Sequence, residues 1–251
     1  MGKFDGILIC SDFDNTICNE NNVSEEKTRA IEYFMSEGGL FTLATGRQAN
    51  YLKNLNINFK CNAPLVLING TAVLNDGEII YENPMSKESL KDVLDILEKY
   101  PIMEECHLRT SDDSTVYKNI NGKMKLEKNA GGKYYKYIFL FKENEECSRF
   151  MEIMKLRYGD SYEFDRSWPF EAEMHTKGSG KGDAVRFLRR YYGKKIKKVI
   201  CVGDYENDIS MIKEADLGIA VGNAMEKVKE AADTVTVSCN ENAMAKIIYS
   251  L

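Results

Sequence analysis

The chain has 251 residues, of which 43% are hydrophobic and 29% are charged, and its formal net charge is −5. This length and composition are typical of a globular protein with one large domain or two modest ones. We expect no nucleic-acid partner, because no dense basic run is present. We expect no membrane partner either, because no stretch approaches about 18 uninterrupted apolar residues.

The cysteines and histidines indicate the redox compartment of the protein and the kinds of catalytic site it can form. Seven cysteines are scattered along the chain without a C-x-x-C pair, and their number is odd. This pattern favours a reducing, cytoplasmic setting, and the N-terminus does not resemble a signal peptide. The two histidines, His107 and His175, lie far apart in the sequence. A histidine-based zinc site or a Ser/His/Asp triad is therefore not expected.

The first third of the chain alternates apolar runs with amphipathic segments. Three apolar runs, each stopped by a polar turn, predict strands at residues 7–11, 40–44 and 65–68. Because helical patterns lie between them, this alternation indicates a parallel sheet and an α/β fold. A β-hairpin with its turn at residues 75–77 is expected to follow.

The two helices between these strands carry their own signals. Ser24 is the predicted N-cap of the first helix, and Gly38-Gly39 is expected to end it. The second helix is predicted from three apolar residues, Tyr51, Leu52 and Leu55.

The pattern changes in the middle of the chain. Helices are predicted at residues 86–100 and 144–158. Strands are predicted at residues 115–118, 133–141, 162–165 and 171–174. The tyrosine cluster at 134–137 is interpreted as sheet packing. Together these segments indicate an α+β module with an antiparallel sheet.

From Gly182 the alternation of strands and helices resumes. Strands are predicted at residues 199–202, 217–221 and 235–237, with helices after residue 182, around Ile209, at 227–232 and at the C-terminus. The simplest account is a Rossmann-like parallel-sheet core formed by residues 1–82 and 179–251. Residues 83–178 would then form an inserted α+β domain.

Two carboxylates follow the first strand directly. Asp12 and Asp14 are one residue apart, just past the expected carboxyl edge of the sheet, where open α/β folds bind ligands. Two carboxylates at such a point repel each other unless a cation or a proton lies between them. The sequence therefore predicts a metal site, an acid/base pair, or both.

Further polar clusters are expected at the same edge of the sheet. They are Asp12-x-Asp14, Thr45-Gly46-Arg47, Lys181-Gly182 and the run from Gly203 to Asp208. The carboxylates suit a hard cation, of which Mg²⁺ is the usual partner in phosphate chemistry. The hydroxyl, the ammonium and the backbone amides suit a phosphoryl group.

These clusters, in this order, resemble the four motifs of the haloacid dehalogenase superfamily of phosphohydrolases, in particular its Cof-like subgroup with a large inserted cap. The matching segments are Asp12-Phe13-Asp14-Asn15-Thr16, Leu43-Ala44-Thr45-Gly46-Arg47, Lys177-Gly178-Ser179-Gly180-Lys181-Gly182 and Gly203-Asp204-Tyr205-Glu206-Asn207-Asp208. Val221-Gly222-Asn223-Ala224 resembles the G-N-A segment of the subgroup. The resemblance covers essentially the full length and implies the family fold, an α/β core with an inserted cap.

The resemblance also implies a phosphatase mechanism. Asp12 would attack phosphorus and form an aspartyl-phosphate. Asp14 would protonate the leaving oxygen and later take a proton from the attacking water. Thr45 and Lys181 complete the catalytic set that the resemblance implies.

The same comparison implies ligands for Mg²⁺ and for the phosphoryl group. Asp12, the backbone carbonyl of Asp14, and Asp204 would hold Mg²⁺. Asp208 would support this metal shell and orient Lys181. The expected phosphoryl ligands are Phe13, Thr45, Gly46, Lys181 and Asn207.

Two positions depart from the family pattern. Asn15 stands where the family usually has glycine, and the turn is still expected to form because asparagine tolerates the left-handed conformation. Near the C-terminus, Glu241-Asn242-Ala243-Met244-Ala245 replaces the usual acidic-Gly-Val-Ala pattern. The geometry of that loop is left open.

Several residues also have simpler interpretations. Thr45 could cap a helix, Asp208 could be an acid in the first turn of a helix, and Lys181 could be a surface lysine, with Lys177 as a competitor for its role. For Asn69, a plain turn and a substrate contact are equally good interpretations. His175 and Trp168 are interpreted as core or surface residues ahead of substrate contacts.

The expected function is Mg²⁺-dependent hydrolysis of small phosphorylated metabolites, such as sugar phosphates, by a monomer or homodimer. One alternative is a phosphomutase or phosphotransferase on the same scaffold, for example phosphomannomutase-like, which would pass the phosphate to another hydroxyl. A second alternative is a signalling receiver domain. That fold needs only about half this length and leaves the insertion unexplained.

Overall fold

The computed structural model describes residues 2–19, 22–53 and 58–251. The chain divides into two compact units. Met1–Tyr81 and Gly180–Leu251 form the first, which we call the core unit, and Glu82–Ser179 form the second, which we call the inserted unit.

The described residues form the following elements. The strands are β1 (Ile7–Ser11), β2 (Leu40–Leu43), β3 (Leu65–Leu67), β4 (Ala72–Asn75), β5 (Glu78–Glu82), β6 (Glu105–Arg109), β7 (Ser114–Ile120), β8 (Lys123–Lys128), β9 (Lys136–Leu140), β10 (Tyr162–Trp168), β11 (Glu171–Thr176), β12 (Lys198–Gly203), β13 (Leu217–Ala220) and β14 (Thr234–Val235). The α-helices are α1 (Glu25–Ser36), α2 (Ala49–Lys53), α3 (Lys87–Lys99), α4 (Asn144–Tyr158), α5 (Lys181–Tyr192), α6 (Ile209–Glu214), α7 (Glu226–Ala231) and α8 (Ala243–Ser250). Short 3₁₀ turns lie at Ile68–Gly70, Gly193–Lys195, Glu206–Asp208 and Cys239–Glu241.

A five-stranded parallel sheet in the order β14-β13-β12-β1-β2 organises the core unit. Cys10 of β1 lies opposite Cys201 of β12 on one side and Thr42 of β2 on the other. Leu8 and Cys10 are fully buried in a cluster that includes Leu188 of α5. Because all five strands run in the same direction, the residues that follow β1 and β12 lie side by side at one edge. The predicted parallel α/β core is confirmed.

Residues 65–68 were expected to add a strand to this sheet, and the structure differs. β3 ends at Leu67 and belongs to a separate three-stranded sheet in the order β3-β4-β5. Its link to the end of β2 is an isolated parallel bridge between Ala44 and Val66. After β3, Ile68 and Asn69 have φ angles of +49° and +56°, which turn the chain back so that β4 pairs with β3 in antiparallel orientation. The predicted hairpin is present as β4 and β5.

The helix signals of the core unit correspond to observed helices. Ser24 caps α1, and its hydroxyl accepts a hydrogen bond from the backbone N–H of Lys27. α1 ends at Ser36, ahead of Gly38, whose φ angle is +89°. α2 contains Tyr51 and Leu52, whereas the predicted contribution of Leu55 lies outside the described residues. Among the helices of the described chain, none combines the length and the apolarity needed to cross a membrane.

The inserted unit consists of a six-stranded antiparallel sheet in the order β10-β11-β9-β6-β7-β8, with two helices packed on it. Both predicted helices are present as α3 and α4, and α3 begins after the N-cap Ser86. Tyr137 and Phe139 of β9 are fully buried beside Phe150 of α4. The sheet packing predicted for the tyrosine cluster is therefore confirmed at Tyr137.

Two strands of the inserted unit, β6 and β8, were not predicted from the sequence. In β6 the buried residues are Cys106 and Leu108, while its other positions carry charged or imidazole side chains. β8 has the sequence KMKLEK and is mostly exposed at the edge of the sheet. Strands so rich in lysine and glutamate lack the β-branched and aromatic residues on which strand prediction depends.

Two glycines with similar backbone angles provide a matched test of packing in the core unit. At Gly70 (φ +93°) an added Cβ would lie 2.3 Å from the carbonyl oxygen of Gly180, next to Lys181, whereas at Gly77 (φ +91°) it would meet nothing within 4 Å. We expect Gly77→Ala to lower the free energy of unfolding by about 1 kcal/mol, from backbone strain alone. Gly70→Ala should lower it by about 3 kcal/mol, because steric overlap adds to the strain. Urea unfolding of both variants measures the difference, and equal losses would contradict the packing described here.

Candidate active site

Three buried carboxylates meet at the carboxyl edge of the parallel sheet. Asp12 follows β1 and Asp204 follows β12, while Asp208 closes the 3₁₀ turn after it. One oxygen from each carboxylate lies within 4.8 Å of one from each of the others. The backbone N–H of Asp12 also donates to the carbonyl of Val202 at 2.8 Å. The adjacent parallel strands thus bring together residues almost 200 positions apart.

A buried lysine from the start of α5 contacts this cluster. Lys181 is the first residue of α5, and its Nζ donates to Oδ1 of Asp12 and to Oδ1 of Asp208, each at 2.6 Å. Its side chain is fully buried. The alternative of a surface lysine is therefore wrong. Lys177, the competing candidate, donates instead to the carbonyl of Gly159 in the inserted unit.

Asp208 has two sets of partners. Its Oδ1 accepts from Lys181, while its Oδ2 accepts from the backbone N–H groups of Asp204 and Tyr205, at 2.9 and 3.1 Å. Asp208 therefore holds the turn that presents Asp204 and orients Lys181 at the same time. The simpler interpretation, an acid that only stabilises a helix terminus, does not account for these contacts.

The electrostatics of the cluster favour a bound cation. Three carboxylates face one ammonium, so the fully ionised set carries an excess negative charge. Burial raises the pKa of Asp12 to about 7, and Lys181 only partly offsets this effect. Burial, together with repulsion by Asp12 and Asp208, raises the pKa of Asp204 to about 9. Buried oxygen ligands with uncompensated charge are the environment that a hard divalent cation fits.

Asp14 does not join this carboxylate cluster. Its side chain is 44% exposed and forms a bidentate ion pair with Arg47, with Nε to Oδ2 at 2.7 Å and Nη2 to Oδ1 at 2.5 Å. The guanidinium also stacks over the ring of Tyr51, 3.9 Å from its centroid. Arg47 belongs to the second motif, but its role was not predicted from the sequence. The sequence feature that points to Arg47 as a site residue is its position directly after Thr45-Gly46.

Thr45, Gly46 and Asn207 lie in neighbouring turns of the core unit. Thr45 is buried after β2, and its hydroxyl accepts from the backbone N–H of Arg47 at 3.1 Å. α2 begins only at Ala49, so Thr45 is not the N-cap of that helix. Asn207 is buried, and its side-chain amide donates to Oδ1 of Asn69 at 3.2 Å. Asn69 therefore holds the side chain of Asn207 in addition to forming a turn.

The turn between Asp12 and Cys18 has further supports. Asn15 adopts a φ angle of +56°, which confirms that asparagine takes the left-handed place usually filled by glycine. Its carbonyl accepts from the side chain of Asn223 at 2.9 Å, which gives the G-N-A segment a structural role. Thr16 donates to Oδ1 of Asp204 at 3.0 Å. Phe13, between the two aspartates, is buried. Thr16 and Asn223 belong to the motifs described above, but these contacts were not predicted from the sequence.

The inserted unit contains a hydrogen-bonded series that involves serine, histidine and aspartate. His175 Nε2 lies 3.0 Å from Asp165 Oδ2, and His175 Nδ1 lies 3.0 Å from Ser179 Oγ. His175 and Ser179 are fully buried, and the serine hydroxyl donates to the carbonyl of Thr176. Because His175 is fully buried, its interpretation as a core residue is confirmed. Trp168 is 50% exposed.

Comparison with known proteins places the chain in a family. A model of the haloacid dehalogenase-like hydrolases matches residues 9–248. The chain belongs to this family. The chain is 31% identical over 264 residues to the putative phosphatase YxeH of Bacillus subtilis, with 97% of each chain covered. It is 28% identical over 243 residues to the 5-amino-6-(5-phospho-D-ribitylamino)uracil phosphatase YcsE of the same organism, covering 96% of this chain and 94% of the relative.

The fold of this haloacid dehalogenase-like hydrolase is also found among solved structures. The crystal structure of SMU.1108c from Streptococcus mutans superposes with a TM-score of 0.84 at 20% identity, with 97% of each chain covered. The predicted family and the α/β fold are therefore confirmed. The chain is an enzyme of the phosphatase type.

The raised pKa values of this hydrolase predict a pH-dependent response to a divalent cation. In the metal-free native state, Asp12 stays protonated up to about pH 7 and Asp204 up to about pH 9, whereas their ordinary pKa, as in the unfolded chain, is 3.8. The contribution of these two protonated groups to stability therefore falls as pH rises through that window. A cation displaces these protons, and we expect its stabilising effect to grow over the same window. Melting temperatures with MgCl₂ and with EDTA, at about pH 6 and about pH 8, measure it. Asp204→Asn should reduce the response, and an equal Mg²⁺ effect at both pH values would contradict the assignment.

Proposed function

We propose that this protein is a Mg²⁺-dependent phosphatase that hydrolyses small phosphorylated metabolites through an aspartyl-phosphate at Asp12. The observation that carries the proposal is the position of Asp12. Its carboxylate is buried at the end of β1, is held by Lys181 at 2.6 Å, and shares a cluster with Asp204 and Asp208. Mg²⁺ bound there would neutralise the negative charge that otherwise keeps a carboxylate and a phosphate apart.

Asp12 is the best candidate for the nucleophile among the clustered carboxylates. One of its oxygens is held by Lys181, which limits rotation of the side chain and presents it in one orientation. Asp208, by contrast, uses both oxygens to hold Lys181 and the turn at Asp204. In this proposal Asp12, Asp204 and the backbone carbonyl of Asp14 hold the metal, and Asp208 supports them.

Asp14 is proposed as the group that moves protons. It is the more exposed of the two aspartates in the first motif and stands clear of the buried cluster. Its contact with Arg47 orients the carboxyl group, which in the second step takes a proton from water. To protonate a leaving oxygen in the first step, Asp14 must carry a proton, and its contact with Arg47 must then weaken.

The phosphoryl group is proposed to bind among the neighbouring turns of the core unit. Lys181 supplies positive charge, while the Thr45 hydroxyl and the Asn207 amide supply neutral polar contacts. The backbone amides of Phe13 and Gly46 complete the proposed set. Such a site fits a transition state whose stabilisation depends chiefly on charge neutralisation and alignment.

The substrate class is proposed from the relatives and from the division of the chain. Both relatives above carry the name phosphatase, and the second is named for a phosphorylated ribityl compound. We propose that residues 1–82 and 179–251 carry out the chemistry, while the inserted domain, 83–178, selects the small-molecule part of the substrate. Phosphate release from a panel of phosphorylated metabolites tests this, and isomer formation without release would indicate the phosphomutase alternative. A cytoplasmic setting fits the free thiols at all seven cysteines.

The two aspartates can be separated with a substrate whose leaving group needs no proton. With p-nitrophenyl phosphate, Asp14→Asn should still form the aspartyl-phosphate but hydrolyse it slowly, so that kcat falls about 10²- to 10⁴-fold. The phosphorylated enzyme should then accumulate, with a burst of p-nitrophenol that matches the enzyme concentration. Mass spectrometry of the quenched protein should locate the phosphoryl group on Asp12.

Asp12→Asn is the matched control for this experiment. It should show neither the burst nor the added phosphoryl group, and its turnover should be undetectable. Turnover of Asp12→Asn at the wild-type rate, or a phosphoryl group on another residue, would refute the proposed intermediate. Wild-type turnover that persists in EDTA would refute the metal requirement.

Arg47 is proposed to position Asp14, and the bidentate geometry provides the test. Arg47→Ala should lower kcat about 10- to 100-fold, because Asp14 loses the contact that fixes its orientation. Arg47→Lys keeps the charge but cannot form two parallel hydrogen bonds, and we expect its kcat to be close to that of the alanine variant. Wild-type kcat in Arg47→Lys would show that charge alone, and not geometry, is required.

A further inference from the structure

A buried lysine behind the Asp12–Asp14 turn lacks a carboxylate partner. Lys27 lies in α1 and is only 3% exposed. Its Nζ donates to the carbonyl of Ile17 at 2.7 Å and to Sγ of Cys239 at 3.3 Å. Among the residues that the structure describes, no Asp or Glu lies within ion-pair distance of this ammonium. The contacts that hold the Lys27 amine are therefore with a backbone carbonyl and a cysteine sulfur.

This contact joins three separate parts of the core unit. Ile17 and Cys18 close the turn that carries Asp14, since their backbone N–H groups donate to the carbonyl of Phe13 at 3.1 and 2.8 Å. Cys239 begins the 3₁₀ turn near the C-terminus, 212 positions from Lys27. The Lys27 amine therefore links α1, the catalytic turn and the C-terminal segment.

The C-terminal segment is where the sequence departs from the family pattern. Asn242 there has a φ angle of +59°, so asparagine again serves in a conformation that favours glycine. Its side chain accepts from Ser24 Oγ at 2.7 Å and donates to Glu26 at 2.6 Å. These contacts fix Cys239 beside α1, and they hold its sulfur against the Lys27 amine.

We propose that Cys239 and Lys27 form an oxidation-dependent covalent crosslink, with hydrogen peroxide as the oxidant. In the first step peroxide oxidises the Cys239 sulfur, so that an S–O bond forms, the O–O bond breaks and water leaves, giving a sulfenic acid. In the second step the Lys27 ammonium loses one proton, and the neutral amine that results attacks this sulfur. An N–S bond forms, the S–O bond breaks, and the hydroxyl leaves as a second water. Thiol reductants reverse the crosslink by attack on sulfur.

The geometry favours the lysine over the other nucleophile in the region. The amine is already in contact with the Cys239 sulfur and is held there by Ile17. Cys18 is also buried, and burial, followed by the charge of Asp14, raises the pKa of its thiol. Cys239 and Lys27 are close enough to make smaller contributions to this pKa. A disulfide between Cys18 and Cys239 is therefore the competing product, and the experiment must separate the two.

Peptide mapping of the oxidised wild-type protein tests the proposal. After treatment with hydrogen peroxide, blocking of free thiols and proteolysis, mass spectrometry should find one peptide pair that joins Lys27 to Cys239. The N–S form lacks two hydrogen atoms relative to the separate peptides. A bridge that retains one oxygen between sulfur and nitrogen uses a second peroxide and releases another water, and it counts equally as the expected result. Dithiothreitol before proteolysis should abolish the pair.

Three variants complete the design. Lys27→Met keeps the aliphatic stem and should abolish the pair, as should Cys239→Ser, whereas Cys18→Ser is the matched control and should retain it. A Cys18–Cys239 disulfide in the wild type would overturn the proposal. So would Cys239 that stays reduced or is found only as sulfinic or sulfonic acid. Because the decisive peptide comes from the wild-type protein, the result does not depend on whether a variant folds.

Discussion

The Lys181 ammonium between Asp12 and Asp208 is the interaction on which the site depends. Three buried carboxylates would repel one another and open the sheet edge, and Lys181 is the buried cation that holds two of them at 2.6 Å. Although burial opposes it, Asp12 and Asp208 keep the pKa of Lys181 above its ordinary range, so the lysine stays charged. The remaining negative charge is what a metal and a phosphate would share. Removing this lysine would therefore affect the geometry and the electrostatics of the site together.

The parallel sheet brings the residues of the site together although they are far apart in the sequence. β1 and β12 are neighbours, so the turns after them bring Asp12 and Asp204 to the same edge, with α5 supplying Lys181 beside them. The turn after β2 adds Thr45 and Arg47. None of these residues lies in the interior of a strand, which leaves the apolar strand interiors to pack the core. The side chains of the site thus lie beyond the ends of the strands, whereas the side chains that stabilise the core lie within them.

Much of this arrangement follows from sequence because it depends on local patterns. Asp12 and Asp204 end apolar runs, and parallel strands place such ends together. The partner of Asp14 could not be predicted, because a bidentate contact with Arg47 depends on the path of two turns. The pairing of β3 with β4 was not predicted, since the positive φ angles at Ile68 and Asn69, which turn the chain after β3, leave no hydrophobic signal. The contact between Lys27 and Cys239 joins residues whose proximity no spacing rule predicts.

The interrupted core has a consequence for how the protein is made. β1 hydrogen-bonds to β12, with Ile7 opposite Lys198, so the central sheet cannot close until more than three quarters of the chain has left the ribosome. The inserted unit is continuous in sequence and has its own apolar cluster. During synthesis it can therefore become compact first, while β1 waits for its partner. Long-range pairing of this kind slows folding and leaves apolar strands exposed, and in this chain β1 is the strand whose pairing with β12 must come late.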